Sequence, residues 1–506
     1  MDSNKRIIVN TIAQYSRAVV NACISLYTTR IILRALGVSD YGIYSVVAGV
    51  VALLGFITNA LVITTQRYIS FYSGRGDLGY VKKLFSNSLF LHLIIGLVLG
   101  LILLSLKPWL FESVLNIDAA RIDTAQIIYY ITILILMLTI LIAPFKAVLI
   151  AHENIVYISI VEVGDGLLRL FFVLSLLQMN ADTLLIYGFM MLGIQVINLM
   201  AYAGYTLFNF PECHIFGVIG DIDRSILSKF TGFAGWTTYG MGSVVLRTQG
   251  LAVVLNHFFG TVINAAYGIA HQVYASVAVI STSVLNAMNP QIIKAEGNGD
   301  RQRMIFLAEQ ESKYSEMLMM IVLVPLMFEL PIVLDVWLGQ ANEEMVMMTR
   351  FTLIAFMCDQ LTYGLNTANQ ALGNVRNYCI LMYTPKLLIL PIAYVLLVKG
   401  YSVAVVMWVY VGVELLVSLM RIPYIKYTAG LSVCHFIQAV ILPLLPLLLC
   451  QLALCWLCTS LLNFKLRFLL TIPLSIALGI IVVYFVVLTA KERKAAVNLI
   501  RKKRAN

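Results

Sequence analysis

The chain has 506 residues, of which 60% are hydrophobic and only 12% are Asp, Glu, Lys or Arg. That charged share is about half of what a soluble domain carries, and no soluble fold of this length hides so much apolar surface. The composition excludes a disulfide-stapled secreted scaffold, a disordered chain and an ordinary water-soluble enzyme. It points to an all-α integral membrane protein, because apolar runs of about 20 residues recur along the sequence. The alternation over about ten residues that marks a membrane β-barrel is not seen.

The formal net charge is +10. Basic residues gather in short loops and in the tail KERKAAVNLIRKKR, Lys491–Arg504. This reads as topology and contact with anionic lipid, not as a nucleic-acid footprint. Cys455 and Cys458 have CxxC spacing, but they lie inside the apolar run LCQLALCWLCTSLL. Packing is the plainer reading there, and neither a metal site nor a cofactor is expected. The first apolar run carries Arg17 and Arg30 and lacks the small-residue exit of a cleaved signal peptide.

In chain order, about 14 transmembrane helices are expected. They run near 8–33, 41–66, 84–106, 124–150, 155–178, 183–206, 227–255, 259–288, 305–334, 344–372, 377–398, 402–425, 434–459 and 466–489. Breakers or charges mark boundaries at Leu36-Gly37, Ser73–Asp77, Lys107-Pro108, His152–Asn154, Asn289-Pro290 and Gly373-Asn374. An even count puts both termini on one side. Most of the 35 Lys and Arg fall in loops or ends on that same side, with Lys146, Lys313 and Arg421 placed among them. The termini are therefore expected in the cytoplasm.

Short motifs recur at offsets of about 220–226 residues. Gly74-Arg-Gly-Asp77 pairs with Gly297-Asn-Gly-Asp300, Tyr41-Gly-Ile43 with Tyr267-Gly-Ile269, and Ala151-His-Glu-Asn154 with Ala371-Leu-Gly-Asn374. They suggest two six-helix lobes as a parallel repeat, followed by two C-terminal helices. The expected organisation is an N-terminal lobe at 1–206, a cytoplasmic linker at 207–226, a second lobe at 227–426, two extra helices at 427–490 and a basic tail at 491–506.

The run Thr29-Arg-Ile-Ile-Leu-Arg-Ala-Leu-Gly-Val-Ser-Asp-Tyr-Gly-Ile-Tyr44 resembles the "LG…YG" passage of Wzx-type flippases. With the helix count, the chain resembles the polysaccharide transporters of the multidrug/oligosaccharidyl-lipid/polysaccharide exporter superfamily. The resemblance implies a pair of lobes that moves an undecaprenyl-diphosphate-linked oligosaccharide from the inner to the outer leaflet of the bacterial cytoplasmic membrane. It also implies membrane lipids, a polysaccharide polymerase and glycosyltransferases as partners, and no bond-making step. A cation-coupled multidrug or metabolite exporter of the same superfamily is the alternative, and a polysaccharide polymerase is a third.

Such a transporter must shelter a sugar diphosphate through roughly 30 Å of hydrocarbon, and charges inside the membrane are costly enough to be functional candidates by default. Arg17, Arg30, Arg169, Arg247 and Lys386 are the candidate diphosphate ligands. The Ser16-Arg17 pair is similar to one in related lipid II flippases, whose first-helix arginines line the cavity. Snorkelling is the plainer reading of Arg30, and an ion pair is the alternative for Arg17 and Arg247. Asp165 and Arg169 are four apart and can pair on one helix face. Two polar stripes are candidate sugar-binding faces: Asn264, Tyr267, His271 and Tyr274 in one helix, and Thr362, Tyr363, Asn366 and Gln370 in another. Interhelical packing through amides is the plain alternative. Asp359, Glu329 and Glu414 are the candidate carboxylates for coupling to H+ or Na+. Gly74–Gly79 fits G-x-G-x-x-G but follows a membrane helix, so it lacks the nucleotide-binding context.

Overall fold

A computed structural model describes residues 3–52, 54–114, 117, 119–179, 182–213, 222–338, 342–462, 464, 466–490 and 492–494. The Arg30 and Asn264 side chains, the centre of the expected 207–226 linker and most of the 491–506 tail lie outside the described residues. The described chain is helical, without strands. In hydrocarbon, backbone N–H and C=O groups must be satisfied within the segment, and the helix does that. Nine stretches among the described residues are long and apolar enough to cross a membrane.

The helices are α1 (Ser3–Ala52), α2 (Gly55–Gly74), α3 (Leu78–Trp109), α4 (Ile122–Ala151), α5 (Ile155–Leu176), α6 (Thr183–Asn209), α7 (Arg224–Gly297) and α8 (Arg301–Leu338). They continue as α9 (Glu343–Gln360), α10 (Tyr363–Leu372), α11 (Val375–Val398), α12 (Val403–Ala429), α13 (Val433–Phe436), α14 (Leu442–Leu461) and α15 (Phe468–Val482). The chain divides into two compact units, one of Arg6–Gly242 and one of Met1–Lys5 with Ser243–Asn506.

Several expected boundaries move, but the Leu36-Gly37 boundary holds: Gly37 (φ 76°, ψ 168°) is non-helical and interrupts α1, so Ser3–Ala52 is two helices joined across that residue. Pro108 lies inside α3 and Pro290 inside α7. Neighbouring helices can satisfy the backbone groups that a proline frees, so such residues need not end a membrane helix. The expected 344–372 helix is broken at Leu361–Thr362, which separates α9 from α10. Its polar stripe is therefore not one continuous face.

The first repeated motif adopts one conformation twice. Gly76 (φ 72°) and Gly299 (φ 77°) are both left-handed, where glycine carries no Cβ penalty. The Asp77 N–H donates to Tyr72 O, and the Asp300 N–H donates to Ala295 O. This is the six-to-one closure of a Schellman turn. Each aspartate then caps the next helix: Asp77 accepts from the Tyr80 N–H and Asp300 from the Arg303 N–H, both at 3.0 Å. The third motif repeats with one difference. Glu153 (φ 60°) holds the left-handed position that Gly373 (φ 82°) holds in the second copy.

In the first unit α4 is central, packing against α2, α3 and α6. Ile128, Ile140, Ala147, Val148 and Leu149 of α4 are fully buried. In the second unit α8 packs against α9, α10, α14 and α15, and α12 packs against α9 and α11. These packings bring charged residues of different helices together.

Candidate functional site

In the second unit, five charged side chains form a chain of alternating sign. Arg247 of α7 donates to Glu414 Oε1 of α12. Lys386 Nζ of α11 lies 2.7 Å from Glu414 Oε2 and 3.0 Å from Asp359 Oδ1 of α9. Arg421 Nη2 of α12 lies 2.6 Å from the same Asp359 oxygen, and its Nη1 donates to the Asp359 backbone carbonyl at 2.9 Å. Arg247, Lys386, Glu414 and Arg421 are each 6% exposed or less. Burying each charge alone costs several kcal/mol, and alternation offsets that cost by giving every charge an opposite neighbour. Rings flank both ends, with Arg247 over Tyr410 at 4.8 Å and Arg421 over Tyr363 at 5.7 Å.

Arg247, a candidate diphosphate ligand in the sequence, thus stands in an interhelical ion pair with Glu414, the alternative reading of that residue. Arg421 is the member that sequence reasoning missed. It is not a loop charge but a buried residue of α12. Glu414, Ser418 and Arg421 are spaced i, i+4, i+7, so one helix face carries them. That spacing was the available signal. Ser418 completes the junction, since its hydroxyl lies 2.8 Å from that of Thr362.

The first unit holds a comparable cluster. Glu162 of α5 receives Arg17 of α1, and Lys146 Nζ of α4 at 2.7 Å. Arg17 also donates to Gln14 Oε1 at 2.6 Å. Lys146 is therefore a helix residue with an ion-pair role, not a loop charge. On the next turn of α5, Arg169 donates to Asp165 at 2.8 Å, the expected i, i+4 pair, and Asn198 of α6 donates to Asp165 at 2.7 Å. Glu162, Asp165 and Arg169 line a cavity of about 480 Å³ with Asn21, Tyr41, Tyr44 and Tyr187.

Both clusters have the same balance. Arg17, Lys146 and Arg169 face Glu162 and Asp165 in the first unit; Arg247, Lys386 and Arg421 face Asp359 and Glu414 in the second. Each cluster sets three cations against two carboxylates. The leading cation in each lies on the unit's first long helix and pairs with an acid on a later one.

The remaining sequence candidates are placed as follows. Glu329 of α8 is fully buried and bonded to Arg467 Nε at 3.0 and 3.2 Å. Tyr267, His271 and Tyr274 of α7 form an edge-to-face ladder, with centroids 4.5 and 5.9 Å apart. Tyr267 belongs to an apolar cluster with Leu251, Ile389 and Val406, so this part of the stripe faces packed side chains. Asn366 is buried, and Tyr363 and Gln370 are partly exposed, on α10. A second cavity, about 1710 Å³, lies in the second unit among Phe259, Arg350, Phe351, Trp408 and Arg467, and none of the candidate residues lines it. Among the described residues, no group of three or more His, Cys, Asp and Glu can hold a metal ion.

No family model and no curated relative matches the chain. Solved structures do. It is similar to a MOP superfamily transporter from Pyrococcus furiosus, described as having a binding pocket of reverse polarity, with a TM-score of 0.69 and 12% identity over 86% of this chain and 97% of that one. It is similar to a multidrug resistance MATE family transporter of the MOP superfamily in an outward-facing conformation, with a TM-score of 0.73 and 15% identity over 85% and 96%. A MATE structure in the bent conformation matches with a TM-score of 0.71 and 16% identity over 85% and 98%. The chain therefore has the fold of the MOP superfamily transporters.

Proposed function

We propose that this chain is a membrane transporter that moves an undecaprenyl-diphosphate-linked oligosaccharide from the inner to the outer leaflet of a bacterial cytoplasmic membrane, for surface polysaccharide assembly. The reading is carried by the charge balance of the two clusters: each sets three basic side chains against two carboxylates. A surplus positive charge in a low-dielectric setting suits an anionic head group and disfavours a cationic drug. Guanidinium groups match phosphate oxygens in pairs, and four of the six cations are arginines. A neighbour of the same fold, the Pyrococcus furiosus transporter, is described as having a binding pocket of reverse polarity, which supports the reading. No bond is made or broken. The chain's task is to hold the head group while the lipid tail stays in hydrocarbon.

The test is Arg17→Ala and Arg247→Ala in cells whose surface polymer depends on the protein. Glu162 keeps Lys146 in the first variant and Glu414 keeps Lys386 in the second, so neither leaves a bare carboxylate. Both variants should insert normally and lose surface polysaccharide. Normal polymer from both overturns the reading.

A second reading has its own support. The cavity of the first unit joins two carboxylates to Tyr41, Tyr44 and Tyr187, a lining that suits an aromatic cation. Ethidium retention in cells with and without the protein separates the two. Efflux with unchanged surface polymer selects the exporter.

A further inference from the structure

The three carboxylates that sequence singles out for ion coupling all have cationic partners: Asp359 has Lys386 and Arg421, Glu414 has Arg247 and Lys386, and Glu329 has Arg467. Glu311 of α8 does not. It is fully buried, and no basic side chain among the described residues lies within ion-pair distance. Its Oε1 accepts from Thr367 Oγ1 of α10 at 3.3 Å. The Asn289 carboxamide of α7, with its nitrogen turned to the carboxyl, donates to the same oxygen at 2.7 Å and touches Thr367 Oγ1 at 2.9 Å. Oε2 has no partner.

The charged groups nearby are engaged elsewhere. On α8 itself, Glu309 lies 3.0 Å from His435 Nδ1 of α13, and Lys313 lies 3.1 Å from Glu492. Tyr363 of α10 is the titratable group that feels the Glu311 charge. From α7 the facing group is neutral Asn289. Glu316 is also buried and, among the described residues, pairs with no cation, and its Oε2 too lacks a hydrogen-bond partner.

We propose that Glu311 is an exchangeable proton site of this transporter, built from α7, α8 and α10. Burying a carboxylate without a counter-ion costs several kcal/mol, and one bound proton removes that cost. With Oε1 occupied by two donors, the proton sits on Oε2. Release is a simple dissociation: the O–H bond breaks, its electron pair stays on oxygen and the proton passes to water. The two donors then face a full negative charge, and hydrogen bonds to a charged acceptor are roughly twice as strong.

Helix α10 is placed to register the change. Gly364 lies so close to α8 that a Cβ there would come within 2.0 Å of Ala308 O, and its N–H donates to Ser312 Oγ at 3.0 Å. At the head of α10, Thr362 meets Ser418 and accepts from Arg421 at 3.4 Å. The Glu311 proton and the alternating charge chain therefore act on the same ten-residue helix. The inference rests on the transport reading, but its test needs no transported substrate.

The test is infrared difference spectroscopy of the purified full-length protein in detergent, titrated with acid and alkali and exchanged into D2O. The wild type should show the C=O stretch of a protonated carboxylic acid that shifts on deuteration and disappears at alkaline pH. Glu311→Gln should lose the Glu311 component of that band and keep the component that Glu316 contributes. Glu311→Asp, which keeps the carboxyl, should retain the Glu311 component at a shifted position, and Thr367→Val should move it without removing it. A wild type with no such band, a spectrum unchanged in Glu311→Gln, or a band that disappears on adding sodium at constant pH overturns the proposal. The last outcome identifies a sodium site instead.

Discussion

The charge chain of the second unit predicts an order of effects that is the reverse of what contact counting suggests. Lys386 touches two acids and Arg247 only one, so Lys386 looks like the member whose loss is worst. Charge balance says otherwise. Lys386→Met leaves two neutral pairs, Arg247 with Glu414 and Asp359 with Arg421. Replacing a buried cation with an apolar chain of similar volume in a site that stays balanced should cost less than about 1–2 kcal/mol. Glu414→Gln leaves Arg247 without a carboxylate at 6% exposure and three cations against one anion. Orphaning a buried charge costs about 3–5 kcal/mol. The assay is the midpoint of thermal unfolding in detergent, followed by tryptophan fluorescence. The Glu414→Gln midpoint should fall well below that of Lys386→Met, and Arg247→Gln added to Glu414→Gln should recover part of the loss. A Lys386→Met variant as unstable as Glu414→Gln, or a double variant that sums its two single effects, refutes the reasoning.

Three further outcomes follow from local geometry. Gly364→Ala forces a methyl into the Ala308 carbonyl and strains the Ser312 hydrogen bond, so it should destabilise by about 1–3 kcal/mol or more, and an unchanged melting midpoint contradicts that. Glu153→Gly removes a side chain from a left-handed position that costs roughly 1–2 kcal/mol and should raise the midpoint of unfolding. Beyond the last span, Glu492 is partly buried, which favours its neutral form, but the Thr489 N–H, the Tyr314 hydroxyl and Lys313 together hold its carboxyl below the usual range. Its contribution is therefore present at neutral pH and lost as pH falls through that lowered value. Limited proteolysis after residue 488 should speed up in acid, and Glu492→Gln should be cut quickly at neutral pH too.

Hydropathy made the helical membrane architecture legible, because an apolar run of span length has few other fates. The repeated Gly-x-Gly-Asp turn was legible for a related reason: one glycine must be left-handed and one aspartate must cap, so the motif carries its geometry. Helix ends were less so. Pro290 and Pro108 looked like stops because the rule for proline comes from water, where a freed carbonyl has no neighbouring helix to meet. The break at Leu361–Thr362 left no such mark in the sequence. The charged candidates Arg247, Lys386, Asp359 and Glu414 were each visible as a charge in an apolar run, but their assembly was not. Pairing over 167 positions, as between Arg247 and Glu414, is a property of helix packing that spacing along one helix cannot express. Arg421 lies near the end of the expected 402–425 helix and counts there with the cytoplasmic charges, and only its placement against Asp359 shows its role.

A carrier has to let go of what it holds. On the proposed reading, three bare cations in one cluster would grip a diphosphate tightly enough to trap it, whereas its two acids leave a single uncompensated charge to offer. The carboxylates would then serve release. An arriving phosphate would compete with them for the same guanidinium protons, and their return would expel it. Neutralising Glu414 or Glu162 should accordingly prolong occupancy and slow turnover, and the tightest binder in such a series should be the poorest carrier.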